Sequence, residues 1–409
     1  MILVIDIGNT TIAFTGIAGE DKGDGMLQGT DLKILFEAKL PTETGRDIPR
    51  FLKEAKQLLR QHGAVFSFEE GAAPGEKDIS SDEDPCSGKD SCSGNDLYSA
   101  EDICRAFLDD RTVQAVAISS VVPADTPAAV RLAEKICPIP PVVISCRSDS
   151  GLSFEKLPVP GKLGNDRIAD AAWAAACCPV PAMTADLGTA TTINVVGPVK
   201  SPEGEGQALH TESPEGEGQT LYTESSEGEG QALHTEFPER EGHRHRTEDY
   251  GEEGKALYAE YKKRIENRDL LRPGLRGIFL GGMIGTGVRT SLHALRTGTA
   301  QLPELEPRLV EPGDLIGRDT DGCMLSSAVV GTAALIEGLA TRVEEQLGMP
   351  VTLILTGGNA RYVSPWIRRP FLYEPSLASK GAAVIALRQL TNNEWSTGKG
   401  EIGFEPGTC

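Results

Sequence analysis

The chain has 409 residues, enough for two or more domains with cores of their own. Its formal net charge is −20, which argues against nucleic acid or an anionic membrane as a partner, since both are polyanions. No basic leader opens the sequence and no apolar run reads as long enough to cross a bilayer, so a soluble, cytoplasmic protein is expected.

The pattern in chain order is an alternation of strands and helices. Strands are predicted over 2–6, 12–17 and 33–38, followed by a helix over 47–62 with apolar Ile48, Phe51, Leu52, Ala55, Leu58 and Leu59 on one face. A strand over 113–119, a helix over 125–136 and a strand over 141–145 come next. An Ala-rich helix over 164–178 leads to strands over 182–186, 191–196 and 277–280. Helices over 286–297, 326–347 and 377–390 enclose a last strand over 351–355.

Three segments interrupt this pattern. Residues 19–31 are rich in Gly and Asp, and residues from about 68 to 100 hold Cys86 and Cys92 in a six-residue echo that lacks zinc-site spacing. The third, from about 198 to 265, carries a 12-residue repeat, Ser-Pro-Glu-Gly-Glu-Gly-Gln-Ala-Leu-His-Thr-Glu, with copies starting at Ser201, Ser213, Ser225, Phe237 and Asp249. Residues 201–260 hold sixteen acidic and four basic side chains, so twelve of the twenty net negative charges sit there. With about one Leu per copy, the repeat buries too little to offset chain entropy, and a disordered loop grown by duplication is expected. It falls between strands 191–196 and 277–280, as an extended hairpin turn.

One motif occurs twice. Asp6-Ile7-Gly8-Asn9-Thr10 follows the apolar run Ile2–Ile5, and Asp186-Leu187-Gly188-Thr189-Ala190-Thr191 precedes Ile193–Val196. Each reads as a tight turn between strands. A glycine there lets the backbone approach a ligand, and neighbouring N–H groups and Thr hydroxyls can bond phosphate oxygens. An Asp at the strand end can organise a metal ion or its waters. Between the two copies, Leu163-Gly164-Asn165-Asp166-Arg167 opens the Ala-rich helix. A carboxylate there can take a hydroxyl proton and an Arg can hold an anionic group, while a helix cap would use the same residue types.

The ordered set closely resembles type III pantothenate kinase. It runs from Asp6-Ile7-Gly8-Asn9-Thr10 through Ile118-Ser119-Ser120-Val121-Val122-Pro123, Leu163–Arg167 and Asp186–Thr191. It continues with Gly281-Gly282-Met283-Ile284 and Thr299-Ala300-Gln301-Leu302-Pro303, and closes with Leu355-Thr356-Gly357-Gly358-Asn359-Ala360. The resemblance implies an α/β fold of two actin-like ATPase (ribonuclease H-like) domains, about 1–180 and 181–409, each a mixed five-stranded sheet with flanking helices. It implies ATP-dependent phosphorylation of pantothenate to 4'-phosphopantothenate, with ATP and Mg²⁺, a monovalent cation (K⁺ or NH₄⁺) and a homodimer. By that resemblance Asp6, Ile7, Gly8, Asn9, Thr10, Thr11, Ile12 and Ala13, with Thr189, handle ATP. Gly164, Asn165, Asp166, Arg167 and Thr299 contact pantothenate, Asp166 is the general base, and Asp186 binds the monovalent cation.

The sequence departs from that family in places. Thr286 stands where a Pro is usual, which removes a rigid turn, and the Tyr expected to contact pantothenate is replaced by Leu157 or Phe154. Two other functions fit the same elements: a sugar or small-alcohol kinase of the same superfamily, and a kinase-derived regulatory or accessory protein.

Overall fold

A computed structural model describes residues 1–19, 32–66, 111–199 and 274–391, together with 255, 256, 259, 260 and 263. Apart from their margins, the three interrupting segments and the disorder expected of them lie outside these residues.

The first sheet has five strands in the order β3-β2-β1-β6-β7. They are β1 (Ile2–Ile7), β2 (Thr11–Gly19), β3 (Leu32–Pro41), β6 (Ala115–Ser120) and β7 (Val142–Val143). β1, β2 and β3 form an antiparallel meander, while β6 and β7 add in parallel beside β1. The short β4 (Val65–Phe66) and β5 (Thr112–Val113) pair apart from it.

The second sheet repeats this plan. Strands β9 (Ala182–Leu187), β10 (Ala190–Gly197) and β11 (Gly277–Thr286) form the antiparallel meander, and β12 (Thr352–Thr356) and β13 (Leu372–Tyr373) add in parallel beside β9. It has six strands rather than the five expected, because β8 (Leu152–Ser153) pairs in parallel with the far edge of β11. β10 and β11 are antiparallel neighbours, so the repeat-bearing segment does connect the two arms of a hairpin.

Period-two alternation assigns each strand two faces. Leu3, Ile5 and Ile7 of β1 pack with Phe51, Ala55 and Leu59 of α1 (Ile48–Gln61) and with Ala129 and Leu132 of α2 (Thr126–Ile136). Asp47 caps α1, its carboxylate accepting from the Arg50 N–H at 3.2 Å. Ile2 and Val4 face the other way. They join a core built on α3 (Asn165–Cys177) and α7 (Leu377–Thr391) that also takes Ala182, Val196 and Phe279 from the second sheet. A third core packs Met183, Ala185 and Leu187 against α4 (Val288–Gly298) and α5 (Thr320–Leu347). The helix α6 (Ala360–Val363) completes the set. Each buried Leu, Ile, Val or Phe contributes about 1.5–3 kcal/mol, so the paired central helices hold the two sheets together chiefly by burial.

Two expectations need correction. The strand expected over 277–280 runs on to Thr286, so Gly281 and Gly282 lie within β11, and the chain turns at Gly287. The helix expected from 326 begins at Thr320, where the Asp319 carboxylate accepts from the Gly322 N–H at 2.7 Å. Its 28 residues are long and apolar enough to span a bilayer by length and composition, contrary to the first reading of the sequence. Its apolar face, with Met324, Ala328, Val329 and Ile336, packs into the third core, and a core helix passes the same test.

Candidate active site

The two copies of the repeated motif occupy equivalent hairpins, β1–β2 and β9–β10. In the first, the Gly8 N–H donates to the Thr11 carbonyl at 2.9 Å, and in the second the Gly188 N–H donates to the Ala190 carbonyl at 3.1 Å. Each turn is held from behind. The Thr42 hydroxyl donates to the Gly8 carbonyl at 2.7 Å, the Asn359 side-chain amide to the Gly188 carbonyl at 2.9 Å, and the Thr290 hydroxyl to the Thr189 carbonyl at 2.6 Å. Asn9, Thr10, Thr11 and Thr189 are exposed and open to a ligand. Ile7 and Ile12 are fully buried in the first core, which leaves only their backbones for that purpose.

The same alternation orients the aspartates. Asp6 follows Ile2 and Val4, and Asp186 follows Ala182, so both carboxylates face the central helix layer rather than the outer cores. The start of α3 lies there. Gly164 is its N-cap residue, and the Asp166 carboxylate folds back over the helix N-terminus to accept from the Arg167 N–H at 2.8 Å. A Cβ on Gly164 would stand 2.5 Å from that carboxylate, so a side chain here would displace Asp166 from its present position. The Asn165 side-chain amide donates to the Ser120 carbonyl at 3.0 Å and ties the helix start to the loop after β6.

One turn further along α3 is Asp170, buried, with an Oδ1 that lacks a hydrogen-bond partner among the described residues. No site role was expected of it from the sequence, where it is a lone charge in an Ala-rich stretch. The available signal was its spacing of four from Asp166, which puts both on one helix face. Four carboxylates thus share one region. Burial raises Asp6 to about 6; the charge of Asp166 adds to the shift, while Ser119 and Lys39 oppose it. Burial also raises Asp186 to about 7, with Asp166 and Asp6 adding to the effect. Asp170 is pushed well above the usual carboxylate range by burial, then by Asp186, Asp166 and Asp6.

These shifts fix the sign of a pH effect. A carboxyl with a higher pKa in the folded chain binds its proton more tightly there, so folded Asp6 and Asp186 carry more protons than the unfolded chain from about pH 4 up to their raised values. Stability from these groups is full at acid pH and is lost as pH rises through 6 and 7. Asp170→Asn removes one member of the cluster. In cation-free buffer it is expected to raise the unfolding midpoint by roughly several degrees at about pH 8, with the gain shrinking towards about pH 5. A lower midpoint for the variant at about pH 8 would contradict the charge crowding described here.

Gly357, just after β12, packs against Leu187 of the second hairpin. Its φ is +88° and a Cβ there would stand 2.3 Å from the Asp186 carboxylate, so this position serves both the turn and the room around Asp186. Arg167 differs from expectation in its surroundings. Its guanidinium reaches the second sheet, with Nε donating to Asn194 Oδ1 at 2.7 Å and Nη2 to the Ile193 carbonyl at 3.3 Å, and it lies 5.7 Å from the centre of the Phe279 ring. Phe154, one of the two candidates for the missing Tyr, packs on the same Phe279 ring with 6.1 Å between ring centres. Thr299 stands apart from this cluster. It caps the exposed end of α4, its hydroxyl donating to the Leu295 carbonyl at 2.8 Å.

These features define an α/β protein in which one mixed sheet is built twice and two strand-end aspartates face a shared helix start. The family model for type III pantothenate kinase matches residues 86–205 and 274–342, a span that includes Asp166, Asp186, Thr189 and Thr299 but not the Asp6 hairpin. Over these residues the chain is similar to type III pantothenate kinases. It is 36% identical over 110 residues to the type III pantothenate kinase of Zymomonas mobilis, covering 27% of this chain and 40% of that one. It is 37% identical over 114 residues to that of Rhodococcus jostii, covering 27% and 41%. For Hyphomonas neptunium the values are 40% over 84 residues, covering 20% and 32%. The chain spans 40–42% of the length of the first three relatives it matches. A solved chain from Campylobacter jejuni, described as of a Baf family transcriptional activator, aligns over 94% of this chain and 96% of its own at 12% identity and a TM-score of 0.37, too loose a likeness to build on.

Proposed function

We propose that this protein transfers the γ-phosphoryl group of ATP to the primary hydroxyl of pantothenate, giving 4'-phosphopantothenate, the first step of coenzyme A biosynthesis. The observation that carries this reading is the convergence of Asp6 and Asp186, each at the end of a phosphate-type hairpin, on the helix start bearing Asp166. The relation to pantothenate kinases across Asp166 and Asp186 supplies the substrate. The repeated strand order supports an actin-like ATPase (ribonuclease H-like) fold with domains at about 1–180 and 181–409.

Phosphoryl transfer needs positioning and charge neutralisation more than covalent help. The exposed turns at Gly8–Thr11 and Gly188–Thr189 bind the phosphates of ATP through backbone N–H groups and Thr hydroxyls. Asp166 takes the hydroxyl proton as the new O–P bond forms and the bond to the leaving ADP breaks. Gly164, Asn165 and Arg167 position pantothenate, and Thr299, apart from them in one chain, joins them from near the interface of the proposed homodimer. The donor set suits cations. Four acids crowd together and an Asp170 oxygen lacks a partner, yet no three His, Cys, Asp or Glu side chains among the described residues gather tightly enough to hold a metal alone. Asp6 would hold Mg²⁺ together with ATP phosphate oxygens and water, and Asp186 would hold K⁺ or NH₄⁺, supplying charge neutralisation. A homodimer belongs to the same proposal. A cytoplasmic location follows from the metabolic role.

ADP release by the full chain tests this reading, with pantothenate beside a panel of sugars and small alcohols, in K⁺ and in Na⁺. Turnover is expected with pantothenate alone and to fall in Na⁺. A sugar that outperforms pantothenate would move the assignment to another kinase, and equal rates in the two salts would remove the cation role of Asp186.

A further inference from the structure

Arg167 leaves α3 next to Asp166 and three residues before Asp170; burial lowers its pKa below the ordinary arginine value, and the two carboxylates oppose that. Even so, it makes no ion pair with either among the described residues. Its hydrogen bonds go to β10, to Asn194 and the Ile193 carbonyl, and its guanidinium lies over Phe279 of β11. The cavity it occupies is shaped for it. A Cβ on Gly282 would stand 2.6 Å from Nη2 and 1.9 Å from the Ile193 carbonyl oxygen, so only glycine at this point of β11 lets the guanidinium through.

Asn194 is fully buried, and both ends of its amide are used. Nδ2 donates to the Thr184 hydroxyl of β9 at 3.1 Å, which fixes the flip of the amide and aims Oδ1 at Arg167 Nε. The chain Thr184–Asn194–Arg167 thus runs from β9 through β10 to the first turn of α3. Two of the five guanidinium N–H groups are engaged, and the others are left for an anionic group.

We propose that Asn194 is a positioning residue. Its side-chain oxygen holds the Arg167 guanidinium on β10, away from Asp166 and Asp170. Arg167 is thereby kept oriented towards the carboxylate of the substrate, and the lone pairs of Asp166 are kept open to the hydroxyl. Without this acceptor, the guanidinium is drawn to the neighbouring acids, and both contacts with substrate suffer. This inference rests on the reading of the site as a pantothenate-phosphorylating centre.

The test combines kinetics with the Nε–Hε proton signal of Arg167 in nuclear magnetic resonance, assigned by its loss in Arg167→Lys. Asn194→Leu removes the acceptor at similar volume. Asn194→Asp keeps an acceptor in the same place, with the Thr184 hydroxyl able to turn and donate to it. Asn194→Leu is expected to raise KM for pantothenate about tenfold or more and to leave KM for ATP unchanged, while Asn194→Asp restores the pantothenate value. The Hε signal should exchange slowly in the wild type and in Asn194→Asp, and quickly in Asn194→Leu. An unchanged pantothenate KM in folded Asn194→Leu, or failure of Asn194→Asp to restore it, would overturn the proposal. So would an Hε that exchanges in the wild type as fast as that of an exposed arginine. A wild type inert towards pantothenate, but with a slow Hε signal that Asn194→Leu abolishes, would support the holding role while overturning the choice of substrate.

Discussion

Asp166→Asn is expected to lower kcat for pantothenate phosphorylation by about two to four orders of magnitude while leaving the fold intact. The carboxylate is partly accessible at the first turn of α3, where it accepts from the Arg167 N–H at 2.8 Å. An Asn oxygen can accept that same N–H, so the cap survives and the basic lone pair is lost. The two readouts are ADP release and the thermal unfolding midpoint. Activity within about tenfold of the wild type, in a variant of unchanged midpoint, would remove Asp166 from the base role. A collapsed midpoint would mean that its part is structural.

The second large effect is structural and bears on the same helix. Gly381 of α7 lies directly against α3, where an added Cβ would come 1.9 Å from the Ala169 carbonyl oxygen and 2.5 Å from the Ala169 carbonyl carbon. Both are backbone atoms of a buried helix, so neither can turn aside as a flexible side chain would. Gly381→Val forces the two central helices apart in a core that also contains Ile168, Trp173, Val384 and Ile385. A loss of about 3 kcal/mol or more is expected. The same displacement moves Asp166 and Asp170, so turnover should fall with stability. Denaturant unfolding of Gly381→Ala and Gly381→Val measures it. A midpoint equal to that of the wild type in both would mean that the helices do not meet as closely as described.

The sheets were largely legible in the sequence because burial on both faces leaves a strong signal. Ile2–Ile5 and Ala182–Leu187 read as strands, and the two Asp-x-Gly turns marked where each meander folds back. The helices were equally plain, with α1 running from Ile48 to Gln61 where the periodicity had set 47–62. What escaped were contacts that only the pairing of distant segments creates. The two-residue strands β8 and β13 are too short to show alternation and exist through their neighbours β11 and β12. Gly281 and Gly282 stand in β11, paired with Val195 and Asn194, and at Gly282 an added Cβ would meet the Ile193 carbonyl and the Arg167 guanidinium.

The site shows the same division. Asp6, Asp166 and Asp186 stood out from their motifs, whereas Asp170 and Asn194 gained meaning only once α3 was packed against β9 and β10. Thr42, Thr290 and Asn359, which hold the two turns from behind, come from elements remote in sequence from the turns they support. Local spacing cannot indicate such partners, because their roles are set by the sheet order.

The central claim is transfer of phosphate to pantothenate, and the most direct measurement is identification of the product. The full chain is incubated with Mg-ATP, K⁺ and pantothenate, and phosphorus magnetic resonance follows the fate of the γ-phosphoryl group. The account predicts a new phosphomonoester signal on the primary hydroxyl of pantothenate that grows as ADP appears, and its loss in Asp166→Asn. ADP and inorganic phosphate without that ester, or no reaction from a folded protein, would contradict it.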